Sequence, residues 1–283
     1  MRVCVLGLGQ VGFPTAKYIK EKGIEVCGYD INTSVVERVK TNVNAIANWQ
    51  DVPVVDVFVI CVSTFLNNNT PDLSPIFDAC EKIAEKIKDR EFHDKLPLVS
   101  IESTVIPGTC RKVYDKIFYK KVRLVHVPHR YWSGDPIKYG VKQKRVLGAI
   151  DDKSLKLGLR FYKDMLGIPV HPVSSIEVAE LSKISENAYR YVQIAFAEEL
   201  RMICEQLGLN FDELRSACNT KWNIEILEAR EGIGGHCLPK DTAYLASLSK
   251  YNVLLNSAME VDRLYRQWLS SSNNVKNLSY KKY

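Results

Sequence analysis

The apolar positions of this chain fall first into short runs and then into long helical spacings. Residues 2–7 form a short apolar strand, followed by a glycine-rich turn and a helical pattern to about Lys22. A second strand runs from Ile24 to Tyr29 and ends on Asp30. Val54 to Val62 is almost continuously apolar, the pattern of a strand buried on both faces. Ser74-Pro75 marks a helix start, a capping hydroxyl with proline at the first helical position. Leu98 to Ile101, Arg123 to Val127, Arg145 to Ile150 and Val170 to Val173 read as further strands of a parallel sheet. Strands alternating with helices over about 170 residues predict a doubly wound α/β domain.

From Ser174 the pattern changes, and no later segment reads as a strand. Ser174 or Ser175 caps a helix that runs without Gly or Pro to about Leu207, longer than a small domain usually needs. Such a helix crosses from a sheet domain onto a second domain or a second subunit. Apolar residues Ile184, Ala188, Val192, Ala195 and Leu200 exceed what one face requires, so helix 175–207 is expected to form a homodimer seam. Shorter helices follow at Phe211 to Cys218, Thr242 to Leu248 and Val253 to Leu269. The expected division is a sheet domain over 1–173, an all-helical domain over 174–270 and a flexible basic tail over 271–283.

Composition narrows the class. With 46% hydrophobic and 25% charged residues among 283, this is ordinary globular material. A net charge of +6 suits an anionic small ligand and is too weak and too evenly spread to argue for nucleic acid. No apolar run approaches the roughly 20 residues that span a bilayer. The N-terminus reads straight into a strand with no signal peptide ahead of it. Eight cysteines without a C-x-x-C pair argue against both a disulfide framework and zinc. The expectation is a reducing cytoplasm, with no metal and no membrane.

Two stretches carry chemistry. In the first, Gly7-Leu8-Gly9-Gln10-Val11-Gly12 follows a strand and opens a helix, and Asp30 ends the next strand. This is the dinucleotide fingerprint of a Rossmann-type domain in its full context. The glycines allow a tight turn and close approach of a pyrophosphate, whose charge the helix N-terminus meets. Asp30 would accept hydrogen bonds from ribose hydroxyls and would repel a 2′-phosphate, and no arginine follows until Arg38, so NAD is favoured over NADP. Ser63 and Thr64 end the Val54 to Val62 run, at the carboxyl edge where ligands of such sheets bind.

The second stretch is Gly232-Ile233-Gly234-Gly235-His236-Cys237-Leu238-Pro239-Lys240-Asp241. Glycines ahead of a cysteine, Gly234 among them, let a substrate approach the thiol. Pro239 then argues that the thiol sits on a loop. Lys240 and Asp241 place a cation and a carboxylate near the sulfur, and a cation favours the nucleophilic thiolate. A free cysteine is more often a small buried hydrophobe; the glycines and the charged pair reverse those odds. Lys183 and Asn187, four apart, share one helix face and can stabilise an oxyanion or orient water, although a solvated face is the commoner use of such a pair.

These segments, with Glu102-Ser103-Thr104-Val105 and Glu180-Leu181-Ser182-Lys183, resemble the nucleotide-sugar 6-dehydrogenases of the UDP-glucose and GDP-mannose group over roughly residues 1–270. The Gly-Gly-His-Cys form is closer to the N-acetylhexosamine branch. The resemblance implies two successive NAD-dependent oxidations of a primary alcohol to a carboxylate. Cys237 would carry a thiohemiacetal and then a thioester, and Lys183 would stabilise the oxyanion. Asn187 and Asp241 would position water and the lysine. Thr64 and Thr104 would line the nicotinamide side, with Ser63, Ser103 and Lys240 among the cofactor contacts. The family's Asn/Cys-Pro-Glu segment aligns with Val127-Pro128-His129-Arg130, so His129 replaces the acid that assists hydrolysis. A neutral imidazole can act as a base near pH 7. The family continues into a third domain that holds the nucleotide, before which these residues stop. The diphosphate would then be held by local Arg130, Lys221 and above all Arg230, or by a separate nucleotide-binding partner. The alternatives are a two-electron alcohol or hydroxyacid dehydrogenase with an idle Cys237, and a non-catalytic NAD-binding partner subunit.

Overall fold

The computed structural model describes residues 1–67, 70–88 and 96–271. They divide into two units, one built from Met1–Asn67 with Pro71–Lys183 and one principally from Ile184 onward. The division falls inside the long helix.

The first unit is an eight-stranded sheet with helices. Its strands are β1 (Arg2–Leu6), β2 (Glu25–Tyr29), β3 (Asn44–Ile46), β4 (Val57–Ile60), β7 (Leu98–Ile101), β8 (Arg123–His126), β9 (Arg145–Ala149) and β10 (Val170–Pro172), and β5 (Phe65–Asn67) and β6 (Thr70–Asp72) pair separately. The order is β10-β9-β8-β7-β4-β1-β2-β3. β1 leads to β2 and β3 on one side and meets β4 on the other, so the chain reverses its direction of progress between β1 and β4. That switch point opens a crevice at the carboxyl ends of the two strands. All four residues of β4 and of β7 are buried, as strands covered on both faces must be.

One expectation is corrected. β9 pairs antiparallel with β8 through Val125–Ala149 and His126–Gly148, and β10 runs parallel to β9. No helix lies between β8 and β9 among the described elements. A parallel return requires a crossover, and a loop alone delivers an antiparallel neighbour.

The helices of this unit are α1 (Gly12–Glu21), α2 (Thr33–Val39), α3 (Ser74–Ile87), α4 (Thr109–Lys116) and α5 (Asp152–Leu159), which continues into π-helical turns over Arg160–Met165. Ser74 is the first residue of α3 rather than its cap; Asp72 Oδ1 accepts from Ser74 N–H at 3.0 Å instead. The core packs Val3, Val5, Ala16, Ile19, Val57, Val59, Leu98, Val125 and Phe161 together.

The long helix α6 runs Ile176–Leu207, with Ser175 Oγ accepting from Val178 N–H at 3.3 Å at its start. In the second unit α6 is followed by α7 (Phe211–Cys218), α8 (Cys237–Ser247) and α9 (Val253–Ser271). Two apolar clusters hold this unit, one around Ala197, Ile226, Leu227, Tyr265 and Leu269, the other around Tyr191, Ala195, Ile233 and Ala258. α8 begins five residues ahead of the expected Thr242. Ser271 ends α9, and the rest of the expected tail, 272–283, lies outside the described residues. Ile184, Ala188 and Ala195 are buried within the single chain and leave no surface for a seam. The exposed apolar residues of α6 in this unit are Tyr189, Phe196, Ile203 and Leu207, the first three at intervals of seven.

Candidate active site

In the first unit the glycine turn lies between β1 and α1. A Cβ on Gly12 would fall 1.7 Å from the Gly7 carbonyl oxygen, so turn and helix close only around glycine. Gly9 has nothing within 4 Å of its Cβ position, so the chain's own packing does not call for glycine there. The open space suits a ligand that lies directly on the backbone. Gln10 is exposed, and Val11 caps α1 without a side-chain hydrogen bond; Phe13 N–H is taken by the Gly9 carbonyl at 3.2 Å and Pro14 has none, so an anion at this helix start meets chiefly the N–H groups of the turn itself. Asp30, at the end of β2, accepts from Leu8 N–H at 2.7 Å and from Asn32 N–H at 2.8 Å. Its carboxylate is thereby held against the turn while keeping lone pairs for ribose hydroxyls. These residues fit a dinucleotide.

Hydroxyls lace the opposite wall. Thr64 Oγ1 donates to the Thr104 carbonyl at 3.0 Å, and Ser103 Oγ donates to the Val62 carbonyl at 2.6 Å. Thr64 and Ser103 are buried, Thr104 is half-buried and Ser63 is exposed, so it is Thr64 and Ser103 that tie the end of β4 to the segment after β7. Glu180 on α6 accepts from Gly108 N–H at 2.6 Å and Cys110 N–H at 2.7 Å, which anchors that segment where it enters α4.

Behind this wall lies a network that the sequence did not announce. Glu102 receives Tyr162 OH at 2.5 Å, with His129 Nε2 at 2.5 Å and Arg145 Nη1 at 2.9 Å. Tyr162 OH also meets Ser100 Oγ at 2.6 Å. Burial opposes the charge on Glu102, but Arg145 and the His129 and Tyr162 contacts outweigh it and hold the carboxyl down at about 2. Burial, with Arg145 beside it, lowers His129 to about 4. His129 is therefore neutral at pH 7, donates through Nε2, and has Nδ1 buried without a hydrogen-bond partner. In the structure the ring is closed from solvent and held against Glu102, with Thr15 Oγ1 at 2.9 Å from the same nitrogen. Cys61 Sγ, Glu102 and His129 come within 4.8 Å of one another, but the Arg145 guanidinium on the same carboxylate opposes a metal cation. The legible signal was Arg145, a charged residue opening an otherwise apolar strand. Arg130 Nη1, in contrast, donates to the Lys144 carbonyl at 2.8 Å. Lys183 is half-buried on α6.

In the second unit Cys237 is the first residue of α8, with Pro239 inside the first turn, and not a loop residue. Proline suits that turn because its missing N–H has no helical partner there. Of the eight cysteines Cys237 alone is exposed. The N-terminus of a helix favours developing negative charge. One turn on, the buried Asp241 accepts from Asn187 Nδ2 at 2.5 Å and from Lys240 Nζ at 2.5 Å. Within this unit the lysine that Asp241 orients is thus Lys240, whose ammonium also lies 4.2 Å from the centre of the Tyr244 ring. Gly234 has nothing within 4 Å of its Cβ position, which leaves the approach to the thiol open. Lys221 is exposed, and Arg230 is paired with Glu228 at 2.8 Å on the surface.

The chain matches known proteins and families. The NAD-binding domain of the UDP-glucose/GDP-mannose dehydrogenase family matches residues 1–49 and 44–166, and the family's central domain matches 177–263. A UDP-N-acetyl-D-mannosamine dehydrogenase of Methanocaldococcus jannaschii is 32% identical over 92% of this chain, which spans 65% of that protein's length. An NDP-N-acetyl-D-galactosaminuronic acid dehydrogenase of Ralstonia nicotianae is 30% identical over 92% of the chain and 68% of its own length. The solved UDP-D-ManNAc dehydrogenase of Pyrococcus horikoshii superposes with a TM-score of 0.85 at 30% identity, covering 95% of this chain and 69% of that one.

Proposed function

Because the chain belongs to the UDP-glucose/GDP-mannose dehydrogenase family, we propose that it oxidises the primary alcohol of a nucleotide sugar, a UDP-N-acetylhexosamine before others, to the carboxylate. The observation that carries this reading is the exposed Cys237 on the first turn of α8, beside a buried Asp241 that holds Lys240 and Asn187. The alcohol carbon first loses a hydride and its oxygen a proton, giving an aldehyde. The Cys237 thiolate sulfur bonds to the aldehyde carbon, and the oxygen takes a proton to complete a thiohemiacetal. Loss of a second hydride and of that proton leaves a thioester. Water adds to its carbonyl carbon, the C–S bond breaks, and thiolate and carboxylate separate as the two protons of the water pass to solvent. NAD, when bound by the glycine turn and Asp30, accepts one hydride in each oxidation.

The roles follow from chemistry. The helix N-terminus and the Lys183 amine stabilise the oxyanion. Asn187, held by Asp241 through an amide N–H, orients water. Arg230 is the favoured diphosphate contact, since its exposed pairing with Glu228 is weak and exchanges readily for phosphate, whose oxygens match the guanidinium fork. Arg130 and Lys221 are secondary. The exposed stripe of α6 supports a homodimer through Tyr189, Phe196 and Ile203.

The test is NADH formation over a panel of nucleotide sugars, with acid quantified. Two NADH per acid are expected. One NADH with no acid would favour a two-electron dehydrogenase with an idle thiol. Binding of NAD without turnover would favour a non-catalytic subunit.

A further inference from the structure

Two side chains of α9 hold the backbone of Ile233 at both its polar groups. Asp262 Oδ1 accepts from Ile233 N–H at 2.7 Å, and Arg266 Nη2 donates to the Ile233 carbonyl at 2.6 Å. The two are themselves paired one helical turn apart, Arg266 Nε lying 3.1 and 3.0 Å from the carboxylate oxygens of Asp262. Tyr191 OH on α6 donates to the same carboxylate at 3.2 Å. The Ile233 side chain is buried in a cluster with Tyr191, Ala195 and Ala258.

Gly232 adds a second, independent constraint. It has φ +94°, and a Cβ there would lie 2.8 Å from Arg266 Cζ and Nε. The turn is therefore shaped against the guanidinium as well as bonded to it. Three glycines would otherwise leave residues 232–235 with wide conformational freedom. Four residues after Ile233 comes Cys237.

We propose that Asp262 and Arg266 are positioning residues that fix the 232–235 turn, and through it place Cys237 to capture the aldehyde intermediate. This rests on the reading of Cys237 as the nucleophile. When capture fails, the first oxidation still yields aldehyde, but the aldehyde leaves before the thiol adds to it. A loss of folding alone would lower both oxidations together and release no excess aldehyde.

The full chain is assayed with UDP-N-acetyl-D-mannosamine as probe, with semicarbazide present to trap free aldehyde. NAD affinity and the thermal midpoint are measured in parallel. Asp262→Ala is expected to form acid at least tenfold more slowly and to release trapped aldehyde, moving from two NADH per acid toward one NADH per aldehyde. Its NAD affinity stays within about twofold. Asp262→Asn keeps an acceptor for the Ile233 N–H and is expected to recover much of the acid yield. Arg266→Lys keeps the charge but lacks the fork that serves both carboxylate and carbonyl, and is expected to leak aldehyde. Should Asp262→Ala not fold, Arg266→Lys decides. Wild-type acid formation without trapped aldehyde in the folded variants overturns the proposal. Cys237→Ser separates the two readings. Retained acid formation in that variant overturns the nucleophile itself, while its loss alongside tight, leak-free Asp262 and Arg266 variants overturns only the positioning role.

Discussion

His129 Nε2 lies 2.5 Å from Glu102 Oε2, with both side chains closed from solvent. The carboxylate is charged and the imidazole neutral, so protonating the carboxylate loses its ionic contact with Arg145 and protonating the ring places a second charge in a buried site. His126, on β8, is buried as well and is pushed down to about 4 by burial. For both histidines the folded value lies below the unfolded value of about 6.5, so the folded state binds fewer protons in between. Their stability is complete above that value and is lost as pH falls toward 4, at about 3 kcal/mol each. Glu102 adds loss below about 4.5, toward 2. Urea titrations should show the chain markedly less stable at pH 5 than at pH 7. His126→Phe, with a ring of similar size and no titratable nitrogen, should lose less over that range. An equal loss in the variant would remove His126 from the account.

Glu198 works in the opposite direction. Its carboxyl is fully buried on α6 with neither oxygen hydrogen-bonded, and burial, with the Asp262 charge, raises it to about 8. The folded state holds this proton more tightly than the unfolded state, so its contribution is present below about 4.5 and is lost as pH rises toward 8. Ionised, it would compete with Asp262 for Arg266. Glu198→Gln should remove a fall in thermal midpoint that this proton contributes between pH 5 and pH 8. A midpoint curve parallel to wild type would show that this proton is not linked to folding.

Asp30 carries two backbone hydrogen bonds besides its expected ribose contacts. Asp30→Ala should weaken NAD by about 1–3 kcal/mol, the scale of hydrogen bonds to a charged acceptor, and narrow the preference against NADP. Asp30→Asn retains an acceptor, though not the charge, and should fall between. Titration calorimetry with both cofactors decides; unchanged discrimination in the alanine variant would exclude Asp30 as the ribose contact.

The exposed stripe on α6 bears on assembly. Phe196→Asp places a charge in the middle of it, on a side chain 53% exposed in the single chain, so the fold should be untouched. Light scattering at micromolar concentration should report a dimer for the unaltered chain and a monomer for the variant. A monomer for both would remove the seam.

The sequence alone determined what depends on neighbours along the chain. The apolar runs of β4 and β7, the glycine turn with Asp30, and α6 at Ile176–Leu207 against an expected 175–207 all rest on periodicity and short motifs. What it left open was decided by residues far apart. β9 turns antiparallel because the chain between it and β8 forms no crossover helix. His129 became a partner of Glu102 only when Arg145 and Tyr162, the latter 60 residues from Glu102, closed around the same carboxylate. Ile184, Ala188 and Ala195 lie inside and Phe196 outside because the buried face of a helix is chosen by whatever packs against it. Ile233 meets its clamp 29 residues later, at Asp262. Burial and hydrogen-bond partnership are set in three dimensions, and they settle which charge a side chain keeps and which task it is left to perform.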